Sequence, residues 1–141
     1  MPSLEDAIAL AVEAHRGQVD KGSQPYILHP LRLMFKLESD VDRIVGVLHD
    51  VVEDTKLTQQ ALKSLGYPIG VLEALDCLTK KPAEDYENFI QRIKPNPIAR
   101  RVKLVDLMDN MDVRRLQTLD EEDFKRLKKY RKAWAELKNG L

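Results

Sequence analysis

The chain has 141 residues, of which 43% are hydrophobic and 33% charged, and its formal net charge is zero. This length and composition exclude a disordered chain and fit one well-packed, helix-rich domain over residues 1–141. No run approaches the about 18 apolar residues of a membrane span, and neutrality gives little non-specific attraction to nucleic acid. The single cysteine, Cys77, cannot form an internal disulfide, so we expect a reducing, cytoplasmic location.

Eight helices are predicted in chain order, which makes the fold class all-α. Ser3 opens a capping-box sequence, and apolar residues then recur at helical spacing until Gly17. Residues 18–28 lack periodicity and predict a loop, and Pro30 suits the first turn of a helix that runs to about Leu37. The further helices are predicted at residues 41–52, 58–65, 69–78, 84–93, 97–111 and 121–137.

Two of these helices carry strong apolar patterns. Residues 41–52 are apolar at nearly every turn position, which predicts a central helix buried on most sides. Their β-branched content leaves a buried strand as the alternative. The last helix places one apolar stripe, predicted to face the core, at Phe124, Leu127, Tyr130, Trp134 and Leu137.

A cluster of ionisable residues interrupts the most apolar helix. His49 is followed by Asp50, and Glu53 and Asp54 come four residues later, so a continuous helix would place His49 with Glu53 on one face and Asp50 with Asp54 on another. Such groups on an apolar helix repel or stay desolvated unless a cation neutralises them. The cluster therefore predicts a metal site, and a structural salt-bridge cluster is the alternative.

The other candidate ligands lie far from this cluster in sequence. His29 stands at the predicted start of the second helix. Asp106 interrupts an apolar stripe, as Asp50 does. An ordinary surface aspartate is the alternative for Asp106.

Four segments of the chain together resemble the HD superfamily. Within it they are similar to the hydrolase domain of RelA/SpoT enzymes and of stand-alone small alarmone hydrolases. The matching segments are Ala14–Gln18, Pro25–Pro30, His49–Thr55 and Val102–Met111. The resemblance implies a helical bundle of about eight helices around a metal, without a synthetase domain. It also implies an enzyme that removes the 3′-pyrophosphate of (p)ppGpp to leave GDP or GTP.

The resemblance also implies a role for individual residues. One divalent ion, usually Mn²⁺ in this family, would be bound by His29, His49, Asp50 and Asp106, although these ligand types alone also admit Fe or Zn. Glu53 and Asp54 would orient the attacking water and manage its proton, with an exposed helix-end pair as the alternative. The nucleotide substrate would contact Lys21, Asn110, Arg126 and Tyr130. For Lys21 a solvated loop lysine, and for Tyr130 a packing role, remain the alternatives.

Two positions depart from the pattern of the long family members. Asp20 and Asp112 stand where those enzymes often carry arginines near the base and ribose. A carboxylate cannot stack on a base as a guanidinium does. A changed base pocket could accept ppApp or the 3′-phosphate of NADPH, and a nucleotide-binding module without turnover is a further alternative.

Overall fold

Helix-capping side chains define where most of the helices begin. The computed structural model describes residues 1–141 as nine α-helices and one 3₁₀ helix, with an isolated bridge between Val19 and Pro25 and no strands. The α-helices are α1 Leu4–Ala14, α2 Leu28–Lys36, α3 Asp40–Leu48, α4 Val51–Asp54, α5 Gln59–Ser64, α6 Ile69–Leu78, α7 Tyr86–Ile93, α8 Pro97–Asn110 and α9 Glu121–Lys138, and the 3₁₀ helix is Val113–Arg115.

The caps follow one rule. A polar side chain accepts a hydrogen bond from the backbone N–H three residues later, which satisfies a donor that the helix leaves free. The capping residues are Ser3, Ser39, Thr58, Asp85, Asn96 and Asp120. The predicted start at Glu84 was two residues early because Asp85 caps α7, while the carboxylate of Glu84 accepts a hydrogen bond from Arg92 Nε at 2.8 Å.

The prediction of one continuous helix over residues 41–52 was wrong near its C-terminal end. The chain turns at His49 and Asp50, so that α3 ends at Leu48 and α4 starts at Val51. Asp50 has φ −104° and ψ −1°, so each angle departs by about 40° from its typical α-helical value. The alternative of a buried strand is not observed.

Helix α3 lies at the centre of the bundle, as its apolar pattern predicted. It packs against α1, α2, α6 and α8, and Val45, Val47 and Leu48 are completely buried. Gly46 permits the close approach of α2, because a Cβ at this position would lie 2.7 Å from Cδ1 of Leu37. No helix combines the length and apolar character that crossing a bilayer requires.

The final helix packs against α7 and α8 with only part of its predicted stripe. Leu137 is fully buried and Tyr130 and Trp134 pack partly against the core. Phe124 was wrongly predicted to be buried, since 57% of it is exposed. Phe124 lies in the first turn of α9.

Candidate metal centre and nucleotide cleft

Side chains from three separated parts of the chain meet above α3. His29 comes from the first turn of α2, His49 and Asp50 from the turn between α3 and α4, and Asp106 from the middle of α8. His29 Nε2 lies 2.8 Å from Asp106 Oδ1. His49 Nε2 lies 3.1 Å from Asp50 Oδ2 and 3.4 Å from Asp106 Oδ1. The structure thus brings together all four residues that were predicted as metal ligands.

The turn at His49 explains how two adjacent residues reach the same point. Consecutive side chains of a regular helix point about 100° apart, but the break after Leu48 lets both approach one centre. His49 Nδ1 lies 2.8 Å from the carbonyl oxygen of Gly46, which can only accept, so this nitrogen carries the hydrogen. The other nitrogen, Nε2, is buried without a hydrogen-bond partner of good geometry.

The candidate metal centre buries ionisable side chains. His29, His49 and Asp106 are each at most 6% exposed. Burial lowers the pKa of His49, but the negative charges of Asp50 and Asp106 raise it well above its ordinary value. One donor atom each from His29, His49 and Asp50 lies within 4.8 Å of the others, a spacing that a single cation can bridge.

Three supporting residues were missed from the sequence. Tyr26 donates its hydroxyl hydrogen to Asp50 Oδ2. On α8, Lys103 Nζ lies 2.9 Å from Asp106 Oδ2, and Asp109 Oδ2 lies 2.6 Å from His29 Nδ1. The signal for the last two was present, because they stand three residues before and after Asp106 and so share its helix face.

The predicted acidic pair lies at the rim of this centre. Glu53 and Asp54 belong to α4 and are both exposed, and Glu53 Oε1 accepts a hydrogen bond from the backbone N–H of Lys80 at 2.8 Å. Because the helix breaks at His49, the shared faces that were expected from a continuous helix do not apply. Asp54 is exposed as a residue, but its carboxyl group is partly desolvated. This desolvation, together with the negative charges of Asp50 and Glu53, raises the pKa of Asp54 to about 6.

Two adjoining clefts open beside the metal centre. The smaller, of about 310 Å³, is lined by His49, Asp50, Asp106 and the acidic pair. The larger, of about 460 Å³, is lined by all four predicted substrate contacts, Lys21, Asn110, Arg126 and Tyr130. Tyr26, His29, Asn110 and Tyr130 line both clefts, which makes them one continuous depression.

Several curated proteins resemble this chain over most of its length. A protein of Aquifex aeolicus named guanosine-3′,5′-bis(diphosphate) 3′-pyrophosphohydrolase is 32% identical over 138 residues, which cover 89% of this chain and 19% of that protein. The bifunctional (p)ppGpp synthase/hydrolase SpoT of Escherichia coli is 30% identical over 118 residues, which cover 75% of this chain and 17% of SpoT. The chain belongs to the RelA/SpoT family of HD-domain proteins. No protein-family profile matches it.

The fold agrees with this family. A solved structure described as a metazoan ortholog of SpoT that hydrolyses ppGpp superposes with a TM-score of 0.78 at 21% identity, covering 99% of this chain and 88% of that one. The predicted all-α HD fold is therefore confirmed. The HD domain described here spans about a fifth of the length of the curated relatives it matches.

Asp20 and Asp112, the two positions that depart from the pattern of the long family members, each make polar contacts within this chain. Asp20 Oδ1 accepts the backbone N–H groups of Gly22 and Gln24 at 2.8 and 3.0 Å, so it orders the loop that carries Lys21. Asp112 forms an ion pair with Arg114 at 2.7 Å. Neither carboxylate is therefore left as an isolated charge in the cleft.

Two arginines that the sequence did not reveal line the larger cleft. Arg32 comes from α2 and Arg115 from the 3₁₀ helix. Both contact Asp109, and neither was visible as a cleft residue from its local sequence. They supply cations to the same cleft that Asp20 and Asp112 line.

Proposed function

We propose that residues 1–141 act as one metal-dependent phosphohydrolase domain that removes the 3′-pyrophosphate of (p)ppGpp to release GDP or GTP and pyrophosphate. The observation that carries the proposal is the meeting of His29, His49, Asp50 and Asp106 beside a cleft lined by cations. The names of the similar proteins, which include 3′-pyrophosphohydrolases, support the same substrate. The unpaired Cys77 supports action in the cytoplasm.

The donor set fits a single divalent cation. Two imidazoles and two carboxylates are ligands that Mn²⁺, Fe²⁺ and Zn²⁺ all accept, and we propose Mn²⁺ because the RelA/SpoT resemblance implies it. The Nε2 atom of buried His49 makes no hydrogen bond of good geometry although it faces two carboxylates, and a cation between these groups would complete its contacts. When bound, such an ion supplies Lewis-acid activation of a water molecule and of a phosphoryl oxygen.

The acidic pair handles the proton of the reaction. Water adds to the phosphorus attached to the 3′ oxygen, the bond between that oxygen and phosphorus breaks, and pyrophosphate departs with the oxygen of the water. The ribose 3′ oxygen takes a proton in exchange. Asp54 lines the smaller cleft beside Asp50 and is placed to accept the proton of the water. Glu53 anchors α4 by accepting a hydrogen bond from the backbone N–H of Lys80.

Cations around the smaller cleft bind the charged phosphates. Lys80, Lys103 and Lys129 line it together with Asp106. Partial burial, and then the positive charges of Lys103 and Arg126, lower the pKa of Lys129. A bound polyanion relieves this repulsion, so the arrangement favours a ligand with several negative charges.

The nucleoside and its 5′-phosphates occupy the larger cleft. Lys21 and Arg126 line it, and the guanidinium of Arg126 donates a hydrogen bond to Asp123 of the same cleft. Asn110 and Tyr130 line both clefts. Asn110 Nδ2 donates to Asp106 Oδ1 at 3.2 Å, so a substrate contact at this residue is tied to the metal centre.

The proposal is tested by product analysis. Metal-free protein is supplied with Mn²⁺ and with ppGpp, ppApp or NADPH, and the products are separated by anion exchange. We expect pyrophosphate release from ppGpp and a loss of more than about 100-fold in His49→Ala, because several kcal/mol of metal-dependent stabilisation disappear. Asp76→Asn, which alters an exposed ion pair with Lys81, is the control and should keep full activity.

Other outcomes redirect the proposal. Activity on ppApp or NADPH alone would retain the hydrolase and change its substrate. Absence of turnover on all three compounds, in protein that binds Mn²⁺, would make this a nucleotide-binding HD domain instead of an enzyme.

A further inference from the structure

Asp109 is the least exposed carboxylate of the chain and lies beside the metal centre. Only 1% of it is exposed. It stands one turn beyond Asp106 on α8 and faces α2, from which His29 and Arg32 project. A carboxylate in such a place requires several donors to compensate for the lost water.

The donors around Asp109 come from a candidate metal ligand and from the cleft. Its Oδ2 lies 2.6 Å from His29 Nδ1. Arg32 donates from Nε to Oδ1 at 2.9 Å and from Nη2 to Oδ2 at 3.0 Å, which is a bidentate interaction with the carboxylate. Arg115 donates to the Asp109 backbone carbonyl at 3.0 Å and approaches Oδ2 at 3.4 Å.

This arrangement selects one form of the His29 ring. An ionised carboxylate only accepts hydrogen bonds, so His29 Nδ1 carries a hydrogen and donates it to Asp109. The opposite nitrogen, Nε2, is the one that faces Asp106 at 2.8 Å. A carboxylate on the far nitrogen of a metal-binding histidine fixes the ring and makes it a better ligand.

We propose that Asp109 is a positioning residue of the metal centre that holds His29 in its Nδ1–H form and ties it to Arg32 and Arg115 of the nucleotide cleft. The inference rests on the proposed function, since it takes His29 to be a ligand of a divalent cation. It goes further by naming one carboxylate that organises both the metal ligand and two cations of the adjoining cleft. Asp109 acts through His29 and touches neither the cation nor the reacting phosphorus.

The test compares the Mn²⁺ affinity of two protein variants, each changed at one buried aspartate. Asp109→Asn keeps the size of the side chain and removes its charge. In calorimetric titration of metal-free protein with Mn²⁺, we expect Asp109→Asn to raise the dissociation constant about 10- to 100-fold. Asp42→Asn is the matched control, because Asp42 is 5% exposed and is held by an Arg101 fork at 2.6 and 3.0 Å without contacting any histidine. It should bind Mn²⁺ as the unchanged protein does.

A spectroscopic measurement tests the same proposal without a variant. The chain has three histidines, so nitrogen-15 spectra of histidine-labelled, Zn²⁺-loaded protein give one set of ring signals for each. We expect His29 to carry its hydrogen on Nδ1 in the unchanged protein. A hydrogen on Nε2 of His29 would overturn the proposal even if Asp109→Asn did not fold.

The remaining outcomes separate this inference from the proposed function. An unchanged Mn²⁺ affinity in Asp109→Asn, or an equal weakening in Asp42→Asn, would refute the role of Asp109. A protein that binds Mn²⁺ but releases pyrophosphate from no nucleotide would refute the proposed reaction, and the affinity comparison would still decide the inference. A chain that binds neither Mn²⁺ nor Zn²⁺ would overturn both.

Discussion

Lys103 places a positive charge inside the metal centre, and its removal should have opposite effects on stability and on metal affinity. Its Nζ lies 2.9 Å from Asp106 Oδ2, with 12% of the Lys103 side chain exposed. The same ammonium lies 5.1 Å from the centre of the Phe89 ring. Burial lowers the pKa of Lys103, but the charge of Asp106 raises it above its ordinary value, so the side chain is ionised.

The substitution Lys103→Met retains most of the stem and removes the charge. At a separation of 2.9 Å the attraction between two unit charges is about 6 kcal/mol for an effective dielectric constant of 20. Part of this is offset because an ammonium no longer has to be desolvated. We therefore expect the metal-free protein to lose about 3–5 kcal/mol of unfolding free energy, the range observed when one partner of a buried pair is removed.

Urea unfolding with and without Mn²⁺ measures this effect. A divalent cation compensates Asp106 in place of the ammonium, so most of the loss should disappear when Mn²⁺ is present. By linkage, Lys103→Met should also bind Mn²⁺ more tightly than the unchanged protein does. Lys132→Met is the control, because Lys132 and Glu87 form an exposed pair, and solvent screening leaves such a pair little effect on stability. An equal loss with and without Mn²⁺, or a loss below about 1 kcal/mol, would refute the reasoning.

Two further predictions concern stability away from the metal centre. Gly46→Ala should destabilise the fold in urea, because the buried side chain of Leu37 has little room to move away from the new Cβ. Such overpacking costs about 1–3 kcal/mol, more than the up to about 1 kcal/mol of gained helix propensity. Gly70→Ala, where a Cβ meets nothing within 4 Å, should instead be neutral or stabilising, and a loss at both sites would contradict the packing argument. Hydrogen bonds from Arg92 lower the pKa of Glu84 from 4.5 to about 2, so thermal unfolding should show a deficit in Glu84→Gln above about pH 4.5 that vanishes as the pH falls through about 2. A deficit that persists below pH 2 would exclude the ion pair as its cause.

Local sequence signals, such as caps and apolar spacing, were sufficient to predict most of the helices. Ser3 and Asp120 each begin a capping box, and the structure contains both. The apolar run of α3 predicted its central place because residues buried on all sides need no polar face. Phe124 shows the limit of such patterns, since periodicity identifies a face of the helix but not which of its residues other helices cover.

The candidate metal ligands were predicted from the sequence, but several of the residues around them were not. His49 and Asp50 stood out because ionisable groups in an apolar helix require compensation. The break that directs both toward one centre was missed, since nothing in the local pattern marks it. Arg32 and Arg115 were missed for another reason, because ordinary surface arginines have the same local sequence appearance.

The amino-acid sequence by itself determined most of the helices, the four candidate ligands and the family resemblance, because caps, apolar spacing and motifs act over a few residues. Tertiary structure alone decided which side chains support them. Asp109 lies 80 positions from His29 along the chain, and only the packing of α8 against α2 brings their side chains within 2.6 Å. Hydrogen bonding and charge compensation depend on distances in space, and these are established only when the helices pack together.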